Sequence, residues 1–267
     1  MKSFIELSNL EGRRALVTGA GGHLGQIICQ TLAELGADLI ITDTCKSTLG
    51  RVKNQLEQCS SVQVTVLQCD LELSESRKKL IDAVLNDVNR LDILVNVAAF
   101  VSENSIEGWT TDVKNQSIDT WRRALEVNLT AVFDLTKSLA SKLKEKGNGS
   151  IINIGSIYGS SAPDYAIYEG TTMGNPAAYA ASKGGLVQLS RWLSTTLAPQ
   201  IRVNTVSPGG ILRSQPESFV KKYEAKTPLG RMGCEQDFVG IIGYLASDLS
   251  LYVTGQNIMV DGGWSVW

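Results

Sequence analysis

The chain has 267 residues, 43% hydrophobic and 19% charged, with 25 Lys and Arg against 27 Asp and Glu. That length is at the upper end for one domain and ample to bury a core without disulfides or metal. The formal charge of −2 speaks against nucleic-acid or anionic-membrane partners. The single histidine, His23, leaves no His-rich metal centre and no ordinary Ser-His-Asp hydrolase.

Cys29, Cys45, Cys59, Cys69 and Cys234 form an odd set with no C-x-x-C pair, which fits reduced thiols in a cytosolic protein. Met1 to Arg14 contains no signal-like apolar stretch. The longest apolar run, Ile93 to Val101, is broken by Asn96 and too short to span a bilayer. The expectation is a cytoplasmic protein of one domain, residues 1–267.

In chain order, Ala15–Thr18 reads as a strand running into Thr18-Gly19-Ala20-Gly21-Gly22-His23-Leu24-Gly25. A helix follows, with Leu24, Ile27, Ile28, Leu32 and Leu35 at helical spacing and Gly36 as its C-cap. Leu39–Thr42 and Val62–Leu67 are further strands, then Leu80, Ile81, Val84 and Leu85 mark a helix. After a strand at Ile93–Val97, Trp121, Leu125, Leu129, Val132, Leu135, Leu139 and Leu143 mark one long helix. A strand at Ser150–Ile154, a helix from Ala177 to Leu197, and strands at Ile201–Val206 and Asn257–Val260 complete the pattern. Such alternation predicts an α/β fold, a Rossmann-like doubly wound parallel sheet. Residues 162–176 and 209–232 read as irregular.

The glycines after the first strand let the backbone turn tightly and approach a pyrophosphate at the helix N-terminus. Their spacing is not the simple G-x-G-x-x-G; their position in the strand–helix unit carries the reading. Asp43 ends the second strand, where a carboxylate accepts from ribose hydroxyls and repels a 2′-phosphate. NAD is therefore the expected cofactor, with NADP not excluded and Lys46 close by. The other reading of Asp43 is a helix cap. Asp70 is a candidate for the adenine edge, with a helix cap again as its alternative.

Tyr179 and Lys183 are four apart, so a helix puts them on one face. An ammonium beside a phenol favours the phenolate and draws its pKa down from about 10. That would make Tyr179 a general acid/base for alcohol–carbonyl interconversion. Ser156 ends a strand and can hydrogen-bond a substrate oxygen. On Thr18-Gly19 with Gly25, Asn96-Val97-Ala98-Ala99, Asn128, Ser156, Tyr179-x-x-x-Lys183, Asn204, Pro208-Gly209 and Thr254 to Gly263, the chain resembles the short-chain dehydrogenase/reductase family from Arg14 to Trp264.

The resemblance implies that Ser156, Tyr179, Lys183 and Asn128 are catalytic, Lys183 also holding the nicotinamide ribose and Asn128 a relay water. It implies cofactor contacts from Gly19, Gly21, Gly22, His23, Leu24, Asp43, Asp70, Leu71, Asn96 and Ala98. Pro208 and Gly209 would pack on the nicotinamide, and Ile211 would meet its carboxamide. No metal is implied. A homodimer or homotetramer is, with Trp264 and Trp267 buried in a neighbour.

Four departures bear on the substrate. His23 stands where the family has its second glycine, its imidazole either beside the phosphates or packed at the helix start. Val97 and Ala99 alter the loop after the fourth strand, which mainly lends structure. The stretch 162–176 lengthens the segment between serine and tyrosine; Tyr165 and Tyr168 there would suit a hydroxyl-rich ligand, and a packing flap is the alternative. Arg213 would pair with a phosphate or carboxylate, or is a solvated charge of the lid 209–232.

The insertion, Pro208-Gly209-Gly210-Ile211 and Lys221-Lys222-Tyr223 are similar to a subgroup of reductases associated with flagellin or surface-sugar modification. The expected activity is NAD(P)(H)-dependent oxidoreduction of a sugar, sugar-phosphate or sugar-nucleotide. A 3-oxoacyl-thioester reductase and a non-catalytic dinucleotide sensor are the alternatives.

Overall fold

A computed structural model describes residues 1–87, 89–101 and 106–267. The strands are β1 (Arg14–Thr18), β2 (Asp38–Thr42), β3 (Val64–Val66), β4 (Ile93–Asn96), β5 (Gly149–Ile154), β6 (Ile201–Pro208) and β7 (Asn257–Val260). They form one parallel sheet in the order β3-β2-β1-β4-β5-β6-β7. The helices are α1 (Phe4–Ser8), α2 (His23–Glu34), α3 (Lys46–Cys59), α4 (Ser74–Asp87), α5 (Ile118–Leu125), α6 (Ala131–Lys144), α7 (Ala177–Thr196), α8 (Glu217–Lys226) and α9 (Val239–Ala246). No described helix is long and apolar enough to cross a membrane.

Alternate residues of each strand serve opposite faces. Val17, Leu39, Ile41 and Val95 join an apolar cluster with residues of α2, α3 and α9. Leu16, Ile40, Leu94 and Ile151 join another with α4, α6 and α7. Both faces are covered, so the strands are apolar at consecutive positions, the pattern that marked them in the sequence.

Between β1 and β4 the strand order reverses, because the chain winds outward through β2 and β3 before crossing back. That reversal opens a crevice at the carboxyl ends of the strands, the place where open α/β sheets bind ligands. A buried polar chain fixes the helices above it. Asn96 Nδ2 donates to Asn153 Oδ1 at 2.8 Å, Asn153 Nδ2 to Ser190 Oγ at 2.9 Å, and Ser190 Oγ to Leu186 O at 2.8 Å. The chain runs from β4 through β5 into α7.

Several elements differ from the sequence expectation. The long helix through Trp121–Leu143 is two helices, α5 and α6, joined by a π-helical turn at Glu126–Thr130. Leucine spacing survives a single π turn, so periodicity does not reveal it. β3 is three residues rather than six. α3 buries only Leu49, Val52 and Leu56, a single thin stripe in a polar sequence. α8 lies inside the segment expected to be irregular and buries Phe219 and Tyr223, one turn apart.

Candidate active site

The crevice is built first by bare backbone. Thr18 Oγ1 accepts from the N–H of Val97 at 3.1 Å and of Ala98 at 3.2 Å, drawing the loop after β4 against the turn after β1. Gly19 has φ +65°, and a Cβ there would stand 2.7 Å from Ala98 Cα. A Cβ on Gly25 would stand 2.0 Å from Gly19 O. Only glycine allows α2 to begin this close to the end of β1. The N-cap of α2 is Gly22, with no side-chain cap, so its first N–H groups remain open to an anion.

Asp43 Oδ2 accepts from the Gly21 N–H at 3.0 Å and its Oδ1 from the Thr44 N–H at 2.7 Å. The carboxylate lies against the glycine turn. It does not cap α3, whose N-cap is Cys45. Asp70 Oδ1 accepts from Glu72 N–H at 2.9 Å in the turn before α4, so it does not cap that helix, which begins at Ser74. Leu71 is a core residue whose carbonyl accepts from Arg77 at 2.6 Å, and the Asn96 side chain is spent on Asn153. Leu24 packs against the core cluster beside α2. Lys46 lines a separate groove with Leu67, Gln68 and Lys79.

His23 is the first residue of α2 and is exposed. It lines an outer groove between α2 and α3 with Gln26, Gln55, Cys59 and Glu235, not the pinch between Gly19 and Ala98. His23→Gly is therefore expected to change NADH affinity by no more than about twofold, measured by fluorescence titration.

At the other end of the crevice, Ser156 follows β5 and Tyr179 and Lys183 lie on α7. The Ser156 hydroxyl stands beside the Tyr179 phenol and favours its ionised form. Lys183 is buried, its Nζ donates to Ile154 O at 2.7 Å, and it stands 5.8 Å from the Tyr179 ring centroid. Burial raises the tyrosine pKa, and the Ser156 hydroxyl pulls it back down. Burial pushes Lys183 down to about 8. The pull toward phenolate thus comes from Ser156, whereas Lys183 was expected to supply it. Desolvation moves both groups toward their neutral forms.

That shift has a consequence for stability. Lys183 binds its proton more weakly folded than unfolded, where its pKa is near 10.5. The cost of burying the ammonium is complete below about 8 and fades as pH rises through 8 to 10.5. Wild type should therefore gain stability relative to Lys183→Met between pH 7.5 and pH 10, roughly the window set by those two values, as read by urea unfolding.

Asn128 lies in the π turn, with Oδ1 accepting from Phe100 N–H at 2.6 Å and Nδ2 donating to Ser182 Oγ at 3.0 Å. Ser182 Oγ in turn donates to Tyr179 O at 2.9 Å. The Asn128 side chain is engaged at both ends and ties the π turn to α7. Arg77 locks the same turn from below through Glu126 at 2.7 Å and Asp134 at 3.0 Å.

The mouth is closed by aromatic residues. Tyr158 and Tyr168 share a 2.6 Å hydrogen bond between phenols. Tyr168 meets Phe219, Phe219 meets Tyr223, Tyr223 stacks on Trp264, and Trp264 meets Tyr158 edge-on. This ring joins the insertion, α8, the chain end and the segment after Ser156. Tyr223 also reaches the Pro208-Gly209-Gly210 turn, accepting from the Gly210 N–H. A Cβ on Gly210 would stand 2.8 Å from Tyr223 Cζ. Gly209 N–H donates to Val260 O, and Ile211 O accepts from Gln215 at 2.8 Å.

Arg213 pairs with Glu235 and donates to Leu212 O at 2.7 Å. Trp264, expected to bury in a neighbour, is buried within its own chain, while Trp267 is exposed and donates to Lys226 O at 3.1 Å. Tyr158 and Asn175 escaped the sequence reading. The first sits two positions from Ser156, a spacing with no motif; the second is one more polar residue of the insertion. Tyr165 is exposed, its phenol 3.3 Å from Asn175 O.

Fold and site define an oxidoreductase of the doubly wound α/β class. A family model described as enoyl-(acyl carrier protein) reductase matches residues 19–265. The chain is 30% identical over 259 residues to post-translational flagellin modification protein A of Campylobacter coli, covering 96% of this chain and 100% of that protein. A gluconate 5-dehydrogenase from Burkholderia cenocepacia J2315, solved with NADP and tartrate, superposes with a TM-score of 0.86 at 27% identity, covering 99% of this chain and 100% of that one. A short-chain dehydrogenase from Leptospira borgpetersenii with bound NAD+ gives 0.82 at 32% identity, covering 99% and 96%. The chain belongs to the short-chain dehydrogenase/reductase family.

Proposed function

We propose that this enzyme interconverts a secondary alcohol and a ketone on a sugar-type substrate with a nicotinamide dinucleotide, NAD(H) before NADP(H). The observation that carries the reading is the convergence of Ser156, Tyr179 and Lys183 where the strands end. The dinucleotide fits the other end. Gly19, Gly21 and Gly22 would let the pyrophosphate approach, the N–H groups of His23 and Leu24 would meet it, and the Asp43 carboxylate would take the ribose hydroxyls. That carboxylate would repel a 2′-phosphate, and no Lys or Arg lies in the glycine turn to offset it. Asp70, Leu71, Asn96 and Ala98 would flank the adenosine half and Pro208, Gly209 and Ile211 the nicotinamide half, Leu71 and Asn96 through backbone.

Bound there, the nicotinamide supplies or accepts the hydride. In the reducing direction Tyr179 gives its phenolic proton to the substrate oxygen as the carbonyl carbon gains the hydride; oxidation is the reverse. Ser156 Oγ donates to the same oxygen and stabilises charge as it develops. Lys183, held by Ile154 O, positions the cofactor ribose and returns a proton to the phenol. Asn128 acts by fixing α7.

An acyl thioester on an acidic carrier would need a basic docking patch. Lys221 pairs with Glu217 at 2.6 Å, and Lys222 donates to Ala166 O at 2.9 Å, so these two lysines do not form one, and the 3-oxoacyl-thioester reading stands as the alternative. A homodimer or homotetramer is part of the proposal, and sedimentation measures it. The activity is tested by oxidation of NADH against a panel of keto-sugars and small ketones. Turnover supports the proposal; NADH binding with no turnover on any member would make the protein a sensor.

A further inference from the structure

We infer that the substrate is an uncharged polyhydroxylated alcohol or ketone, and that the mouth selects against phosphate esters and carboxylates. The inference rests on the functional reading above and deepens it. An enzyme that takes an anionic sugar needs an unspent cation, most often an Arg whose planar fork meets two oxygens at once. The lid at 209–232 has five, Arg213, Lys221, Lys222, Lys226 and Arg231, and each has a partner within the chain. Arg213 is held by Glu235, Lys221 by Glu217, Lys226 by Asp164 and Arg231 by Asp237. Lys222 donates to Ala166 O and Glu169 O.

Neither the insertion at 162–176 nor the described segment 106–112 contains a Lys or Arg. What they present is neutral or negative. A groove of about 320 Å³ between these two segments is lined by Asp112, Tyr165, Thr171, Thr172 and Asn175, among others; Lys114, just beyond, does not line it. The amide of Asn175 is buried, and neither its oxygen nor its nitrogen has a hydrogen-bond partner among the described residues. An amide left so costs free energy that a donor–acceptor hydroxyl would recover. Asp112 adds a negative charge that repels an anion and tolerates an amino group.

Freeing a lid cation is costly here because the pairs also hold the lid. Lys222 and Lys226 are the polar contacts of α8 with the insertion, beside the aromatic ring from Tyr158 to Trp264. An anion that recruited either would have to unfasten the mouth it enters.

The test uses pentitols, hexitols and ketohexoses, each against its phosphate monoester and the matching aldonate. Turnover is followed with the wild-type enzyme and NAD(H). Binding is followed by calorimetry with Tyr179→Phe loaded with NAD, so that charge preference is read without turnover. The expected result is at least tenfold, roughly 1.4 kcal/mol, in favour of the neutral member in kcat/KM and in affinity. Asn175→Ala should raise KM for the neutral substrate about tenfold with little change in kcat, the signature of lost uniform binding. Glu235→Gln, which releases Arg213, should narrow the discrimination against phosphate. Preference for the anionic member, or equal or absent binding of both members of every pair, overturns the inference. Tight neutral-ligand binding without wild-type turnover supports it while counting against the enzymatic reading.

Discussion

Tyr179→Phe is expected to lower kcat by about three orders of magnitude while NADH still binds, the scale lost when a positioned proton donor is removed. The ring stays, so the packing of α7 against α5 and of the phenyl group beside Trp109 and Ala178 is kept. What is lost is the phenolic O–H beside Ser156. Steady-state kinetics beside fluorescence titration of NADH separates the two effects. A variant with more than about a tenth of wild-type kcat would remove Tyr179 from the chemistry, since a general acid supplies at least about a hundredfold.

Gly25→Ala is expected to weaken dinucleotide binding by more than about a hundredfold and to destabilise the fold by roughly 1–3 kcal/mol, the usual cost of forcing a methyl into a packed site. Its Cβ would lie 2.0 Å from Gly19 O and 2.9 Å from Ala20 Cα, both backbone, so no side chain can turn aside to make room. Either α2 moves away from β1 or the Gly19 peptide rotates. Both disturb the open N–H groups at the start of α2. Gly50→Ala is the matched control, because a Cβ there meets nothing within 4 Å and the position is inside α3. It should stabilise by about 0.5–1 kcal/mol, the helix propensity difference, and leave NADH affinity alone. Thermal unfolding and NADH titration of both variants check this. Equal behaviour of the two would refute the close approach of α2 to β1.

These two predictions concern the residues that sequence reasoning reached most directly. Tyr179 and Lys183 announce themselves by spacing and helix geometry, and Gly19 and Gly25 by their place after the first strand. The strands were legible for the same local reason. Both faces of the sheet are buried, so Leu16 and Val17 are apolar together, as are Leu39, Ile40 and Ile41. The π turn was not legible, because it changes the hydrogen-bond register at Glu126–Thr130 without disturbing the leucines on either side. α8 was missed because two buried aromatics one turn apart are too few to establish a period.

The role of charged residues was the least legible of all. Arg213 reads from sequence as an anion receptor or a free surface charge, and in the fold it is paired with Glu235. Its partner Glu235 lies twenty-two positions away, and nothing short of the folded lid brings the two together. The same holds for Lys226 with Asp164 and for Tyr158 with Tyr168.

By itself the sequence determined the sheet, the glycine turn and the Ser156, Tyr179 and Lys183 set, because periodicity and short spacings are local properties that survive without a fold. Only the tertiary structure decided that His23 faces the outer groove, that Trp264 closes its own chain's mouth, and that the lid cations are already paired. Ion pairs and buried amides depend on which side chains meet across long separations. The lone histidine, which first excluded hydrolases and metal centres, is an exposed residue at the start of α2 that lines the outer groove.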